Sequence, residues 1–187
     1  SICDTDMHNQ IGYYYISKLK LHVHYGNWKS AILWAEKASQ ILMAFANQPG
    51  HFEFEQFYTM AALYRAEETE GETAVKLRNL AHEGIQKIDA WAEHCPSNFL
   101  AKALIVQAIK KGIEGEIEES VQLFEKAATE AKKNGFIQDC GLAYEHLMRL
   151  QKQQTLDHLP ALASSCDAYA TWGAIAKINY LKEEFQV

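Results

Sequence analysis

The chain has 187 residues, of which 48% are apolar, 22% charged and 11% aromatic, as in an ordinary globular protein rather than a disordered or fibrous one. Three prolines and ten glycines are too few for the closely spaced turns of a β-sandwich or barrel, so the composition favours helix. The net charge is −6, and the sequence has no block of basic residues. Nucleic acid and an anionic membrane surface are therefore not expected as partners.

No stretch of the sequence is apolar over the roughly 20 residues that a membrane-spanning helix needs. The most apolar stretch, 99–109, contains Lys102 and Gln107, so a soluble protein is expected. The cysteines lie singly and far apart, unlike those of a disulfide framework or a zinc site. They are Cys3, Cys95, Cys140 and Cys166. This distribution predicts reduced thiols in a cytoplasmic protein.

Apolar residues recur at the three-and-four spacing of a helix face over almost the whole chain. The clearest series is Ile117, Val121, Phe124, Ala128 and Ala131. Glycine, proline and asparagine separate such stretches. The pattern predicts an all-α protein of about nine helices, at 6–25, 28–46, 52–69, 73–94, 98–112, 116–133, 136–152, 158–172 and 174–185.

One stretch, Lys18-Leu-Lys-Leu-His-Val-His-Tyr25, instead alternates polar and apolar residues as a strand does. No second alternating stretch could pair with it. The same region also carries a stripe of apolar residues four apart, formed by Ile11, Tyr15, Leu19 and Val23. We therefore predict that the stretch belongs to the first helix.

Three glycines, Gly26, Gly71 and Gly115, mark an internal repeat. They are 45 and 44 residues apart (71 − 26 and 115 − 71) and each lies between helical stretches. This spacing predicts repeated helix pairs stacked into a short α-solenoid. The pairs would span about 6–46, 52–94, 98–133 and 136–172, with a final helix at 174–185, all in one domain over 1–187.

The repeat extends to the residues five, nine and twelve positions after each glycine. These are Ala31, Ala35 and Ala38 in the first pair and Ser120, Phe124 and Ala127 in the third. Mostly small residues at these positions would let paired helices approach closely. The second pair has Lys76, Leu80 and Glu83 there, so it follows the pattern only in its glycine.

These offsets resemble those of tetratricopeptide repeats, here with longer helices, and imply antiparallel helix pairs in a right-handed solenoid. Three longer strings narrow the resemblance. They are Trp91-Ala-Glu-His-Cys-Pro-Ser-Asn-Phe-Leu100, Lys133-Asn-Gly-Phe-Ile-Gln-Asp139 and Tyr169-Ala-Thr-Trp-Gly-Ala-Ile-Ala-Lys177. In this order they look like the end of the helical-repeat region of large multidomain signalling proteins.

In that family a Ser/Thr-kinase-like domain and an AAA-type nucleotide-binding domain precede the repeats. A GAF domain and a sensor histidine kinase often follow them. The resemblance covers most of 50–180, and the three strings are packing signatures. It therefore implies an architecture and a context, with the family's catalytic residues outside this chain. The chain begins at Ser1 with neither methionine nor leader, which also predicts a piece of a longer protein.

Motifs for catalysis and for cofactor or metal binding are incomplete. Neither glycine-rich phosphate-binding pattern occurs, and the turn at 111–116 carries carboxylates that would repel a phosphate. His22 and His24 would point roughly 200° apart on a helix, so they could not chelate one ion together. The stretch 164–166 has hydroxyls and a thiol without a nucleophile motif. We expect no enzyme, no cofactor and no metal site.

A partner-binding groove is predicted from the positions thirteen and six residues before each repeat glycine. They are Tyr13, Lys20, Tyr58, Arg65, Lys102 and Ile109. In tetratricopeptide arrays such positions on the first helix of each pair line the groove. Three cations in a chain of net charge −6 would favour an acidic segment. Ordinary surface residues are the alternative interpretation.

The leading hypothesis is a non-catalytic protein-interaction or regulatory module of a multidomain signal-transduction kinase or ATPase. Its partner would be another protein or peptide, or a flanking domain of the same chain. A free-standing peptide-binding repeat protein is the first alternative. The second is a helical domain that senses a small effector held between its helices.

Overall fold

The computed structural model describes residues 2–41 and 48–186, with side chains from residue 10 onward, and α-helix is their only regular secondary structure. The helices are α1 (Ile2–His24), α2 (Trp28–Ser39), α3 (Pro49–Glu67), α4 (Gly71–His94), α5 (Pro96–Ile113), α6 (Ile117–Lys133), α7 (Ile137–Gln153), α8 (Leu159–Trp172) and α9 (Ile175–Phe185). The prediction of an all-α protein with nine helices is confirmed for these ranges. The predicted end of the second helix at residue 46 lies outside them.

The alternating stretch that begins at Lys18 continues α1, as predicted, and α1 ends at His24. Leu19 and Val23 of the predicted stripe are buried, but Ile11 is exposed. Because Ile16 is buried instead, the buried face of α1 is rotated at its N-terminal end relative to the predicted one.

The three repeat glycines all adopt positive φ angles, +67° at Gly26, +63° at Gly71 and +83° at Gly115. Glycine reaches this left-handed region without the steric cost that a side chain adds. However, α2 begins at Trp28 and α6 at Ile117, two residues after their glycines, whereas α4 begins at Gly71 itself. The second repeat is therefore shifted relative to the other two.

The shift in α4 explains why the second pair matched the repeat poorly. In α2 and α6 all six residues at the predicted offsets are buried. In α4 the corresponding Lys76 and Glu83 are exposed, and the buried alanines are Ala74 and Ala81, two positions earlier. The first and last small residues of the pattern are thus displaced by two positions together with the start of α4, whereas the middle position does not follow, because Arg78 is exposed.

The chain divides into two compact units, one up to Ile88 and the other from Asp89. In the first unit, α1, α2 and α3 pack against one another. In the second, α5 packs on α6, α6 on α7, α7 on α8 and α8 on α9. The prediction of a single domain over 1–187 stays a prediction. No helix within the described ranges is long and apolar enough to cross a membrane.

Within the first unit, α3 and α4 approach closely at Gly84, where a Cβ atom would lie 2.0 Å from Oγ1 of the buried Thr59. We expect Gly84→Ala to lower the free energy of unfolding by about 1–3 kcal/mol, because the overlap forces the helices apart. The helix propensity of alanine would offset part of this loss. Urea denaturation measures the change, and the second substitution Thr59→Ala should restore stability. A G84A protein as stable as the parent would contradict this close approach.

Candidate functional site

Four of the six predicted groove residues lie in the first unit, and two of these are tyrosines. Tyr13 is exposed, and its hydroxyl donates a hydrogen bond to Oε1 of Gln48 at 3.3 Å. Tyr58 is half-buried, and burial raises the pKa of its hydroxyl to about 12, helped by the negative charges of Glu36 and Glu55. Tyr13 is therefore the more accessible of the two.

The two groove cations of the first unit are paired with carboxylates of the chain. Lys20 Nζ lies 2.8 Å from Oε1 of Glu53 and 5.6 Å from the ring centroid of Phe57. Arg65 Nη1 donates to Oε2 of Glu68 at 2.9 Å. The positive excess suggested by the sequence is thus neutralised at both positions.

The other two groove residues, Lys102 and Ile109 of α5, are 9% and 3% exposed. Lys102 Nζ donates to Oδ2 of Asp139 and lies 4.2 Å from the ring centroid of Phe136. Both residues therefore lie in the packing of the second unit rather than on an open surface. The six-residue groove stays a prediction, since four of its members belong to one unit and two to the other.

The second unit contains a buried cluster of charged groups centred on Glu145 of α7, which is 3% exposed. Tyr169 of α8 donates to its Oε2 at 2.8 Å, and Lys177 of α9 donates to its Oε1 at 2.8 Å. Arg149 Nη2 donates to the same Oε1 at 3.0 Å, while its Nη1 donates to Oε1 of Glu184 at 2.6 Å. Side chains of three helices thus converge on one carboxylate.

Electrostatics keeps the carboxylate of Glu145 ionised. Burial opposes ionisation of Glu145, but the positive charges of Lys177 and Arg149 outweigh it and hold the pKa of the carboxyl at about 2. Burial, reinforced by the carboxylate of Glu145, raises the pKa of Tyr169 well above its ordinary value. These groups direct their hydrogen bonds at one another, so the cluster ties α7, α8 and α9 together.

Two of the strings that carry the family resemblance supply these buried pairs. Asp139 and Phe136, which hold Lys102, come from the string that begins at Lys133. The string that begins at Tyr169 contributes both of its end residues to the Glu145 cluster. The structure therefore gives both strings a packing role in the second unit.

The candidate nucleophiles of α8 donate to backbone carbonyls. The hydroxyl of Ser165 donates to the carbonyl oxygen of Gly141 at 2.9 Å, and that of Ser164 to Pro160 at 3.0 Å. Burial raises the pKa of the Cys166 thiol, which disfavours the reactive thiolate. Among the described residues, no group of three or more His, Cys, Asp or Glu is placed to hold a metal ion.

A further cluster of contact residues is an aromatic–lysine patch, formed by Tyr14, Tyr15 and Lys18 of α1 with Trp34 and Lys37 of α2. The ring centroid of Trp34 lies 5.7 Å from that of Tyr14, edge to face, and 5.8 Å from that of Tyr15. Lys37 Nζ lies 4.3 Å from the Trp34 centroid, and Lys18 Nζ lies 5.6 Å from the Tyr14 centroid. The patch thus combines three contacting rings with two ammonium groups.

The aromatic–lysine patch is partly open to solvent, with Tyr14 exposed and its other four residues half-buried. Tyr14 is 51% exposed, and the flanking Leu33 and Leu21 are 50% and 48% exposed. Within the described ranges, neither Lys18 nor Lys37 has a carboxylate oxygen within 4.0 Å. Lys20 and Arg65 of the predicted groove, in contrast, each pair with a carboxylate.

The spacing of aromatic residues and lysines in the sequence is a signal for this patch, and it is independent of the repeat glycines. Tyr14 and Lys18 are four residues apart, and Trp34 and Lys37 are three apart, spacings that bring side chains together on one helix face. The contact between the two helices, however, has no sequence signal. Tyr15, which belongs to the predicted apolar stripe of the first helix, is half-buried and contacts Trp34.

The described part of the chain is thus an all-α protein of packed helix pairs, with a repeat-like organisation. It carries one aromatic–lysine patch in its first unit and a buried ionic cluster in its second. No protein-family model, curated protein or solved structure matches the chain.

Proposed function

We propose that this chain is a non-catalytic protein-interaction module that binds a partner protein through its aromatic–lysine patch. The module would be a short right-handed solenoid of tetratricopeptide-like helix pairs. It would act in the cytoplasm as part of a multidomain signal-transduction kinase or ATPase. The packed helix pairs and the positive φ angles of the three repeat glycines support this architecture.

The observation that carries the proposal is a set of contacting rings on α1 and α2, in which Tyr14 is exposed and Tyr15 and Trp34 are half-buried. Tyrosine and tryptophan are enriched at protein interfaces because they give a large contact area for little loss of side-chain entropy. Exposed apolar side chains in one continuous area mark interaction surfaces, whereas singly scattered ones are ordinary. Leu21 shares the helix face of Tyr14 and Lys18, and Leu33 adjoins Trp34.

The buried charged groups support a non-catalytic role because they bond to neighbouring helices. Catalytic acids and bases need access to a substrate. Glu145, Lys177 and Asp139 are instead buried and bonded to neighbouring helices. Their contacts hold the helices together and do not face an open surface.

The proposal is tested by placing a photo-crosslinking amino acid at Leu33, beside Trp34, and identifying the protein that it captures in cell extract. The binding affinity of the purified partner for variants of this chain is then measured. Trp34→Ala should weaken binding by at least about thirtyfold, as expected for the loss of an aromatic anchor worth about 2 kcal/mol. Trp172→Ala removes an exposed tryptophan of the second unit and serves as the matched control, which should bind like the parent.

Two results would contradict the proposal. One is a partner that binds W34A and the parent equally well, because the rings would then lie outside the interface. The other is a partner lost equally in W34A and W172A. In both cases circular dichroism of each variant must show an intact helical fold, so that unfolding is not mistaken for loss of the surface.

A further inference from the structure

We infer that the aromatic–lysine patch binds an acidic segment of the partner protein, with carboxylates at the two lysines and apolar or peptide groups against the rings. This inference rests on the proposed function and adds the chemistry of the partner. It places the acidic ligand at α1 and α2 rather than in the predicted groove, because no carboxylate of the described residues pairs with Lys18 or Lys37.

Charge pairing in the first unit favours an acidic ligand at this place. Lys20 and Arg65 have carboxylate partners at 2.8 and 2.9 Å, so an incoming acidic segment would have to displace them. Lys18 and Lys37 have no such partner within the described ranges, although the whole chain has a net charge of −6. A carboxylate would therefore gain two ammonium contacts without breaking an ion pair.

The neighbouring acidic and basic groups are consistent with a positive patch. Glu36 precedes Lys37 in α2, but its charge acts on Tyr58 of α3 and raises the pKa of that hydroxyl, second to burial. On α1, partial burial lowers the pKa of His22, and the charge of Lys18 lowers it further.

The two ammonium groups are already placed beside the rings. The attraction of an exposed lysine to an aromatic face is weaker than a hydrogen bond between charged groups. A carboxylate can therefore compete successfully for the ammonium groups of Lys18 and Lys37 beside Tyr14 and Trp34. Because the rings restrict the lysines beforehand, less side-chain entropy is lost on binding.

Single-stranded nucleic acid is the competing ligand, since bases stack on aromatic rings beside cations. Its affinity depends on neutralising many phosphates. The patch offers two lysines on a chain whose carboxylates outnumber its cations by 24 to 18. A short acidic segment needs only those two contacts and meets less repulsion from the rest of the chain.

The test uses a short fluorescein-labelled peptide in which glutamates alternate with leucine, glycine and serine, and a matched peptide with glutamine for glutamate. Fluorescence anisotropy measures binding to the full chain, and the indole N–H resonance of Trp34 reports whether the peptide reaches the patch. The glutamate peptide should bind at least tenfold tighter than the glutamine peptide. Added salt should weaken its binding, because screening acts on exposed charges.

The double variant Lys18→Glu/Lys37→Glu should lose binding of the glutamate peptide by at least tenfold. Lys76→Glu/Lys126→Glu is the matched control, because it changes the net charge equally at two exposed lysines outside the patch. Equal loss in both variants would show a general charge effect and overturn the inference. Tight binding of the glutamine peptide would also overturn it, as would tighter, lysine-dependent binding of an oligothymidylate.

Different experimental results would contradict the inference and the proposed function. If crosslinking at Leu33 captures a partner whose contacting segment is not acidic, the patch remains a protein interface and only the inference is wrong. If the glutamate peptide binds at the patch but the captured partner is insensitive to Trp34→Ala, the proposed function is wrong.

Discussion

Glu145→Ala should lower the free energy of unfolding by about 3–5 kcal/mol, the usual cost of removing one partner from a buried charge pair. The substitution would leave Lys177 of α9, itself 5% exposed, without its 2.8 Å carboxylate partner. The hydroxyl of Tyr169 would also lose its acceptor. Urea denaturation followed by circular dichroism measures the loss.

Glu184→Ala is the control for this prediction. It removes the carboxylate at the solvent-exposed end of the same network, bonded to Arg149 at 2.6 Å. The cost should be less than about 1 kcal/mol, because solvent screens an exposed pair. If both substitutions cost the same small amount, Glu145 does not hold the three helices together.

The pH dependence of the free energy of unfolding should reveal the ionisation of Glu145. The pKa of Glu145 is about 2 in the folded chain, against an ordinary value of 4.5, so the folded state binds this proton more weakly than the unfolded state. Its contribution is fully present above pH 4.5 and is lost as the pH falls towards 2. The parent should therefore lose more stability than Glu145→Gln over this window. If the free energies of unfolding of the two proteins change equally with pH, Glu145 is not ionised in the folded chain.

Phe124→Ala should cost about 3–5 kcal/mol, since the side chain is 1% exposed and truncation leaves a cavity that its neighbours fill only in part. Phe124 of α6 stacks on His146 of α7, with ring centroids 6.2 Å apart and planes 10° apart. It therefore lies between the two helices. The denaturation midpoint should fall markedly, with little change in the slope of the transition.

Val121→Ala, one turn earlier on the same helix face, is the matched control for Phe124→Ala. Val121 is only half-buried and is smaller, so its truncation should cost clearly less. A midpoint unchanged by Phe124→Ala would mean that this face of α6 does not form the core of the second unit.

The helices themselves could be predicted from sequence because their determinants are local. Periodic apolar residues set the helical stretches, and positive-φ glycines such as Gly115 set the turns between them. The burial of Ala31, Ala35 and Ala38 followed from the same spacing. The boundary of α4 could not be found in this way, because nothing in its repeat glycine shows that the helix begins at Gly71 itself.

Only the tertiary structure decided which side chains meet. Tyr13 and Lys102 had equivalent places in the repeat, yet Tyr13 is exposed and Lys102 is buried with Asp139. The aromatic–lysine patch likewise requires α1 and α2 to bring their rings together. Helical periodicity fixes the face of a residue within its own helix. Charge pairing and exposure depend on the neighbouring helix, whose position the local sequence does not encode.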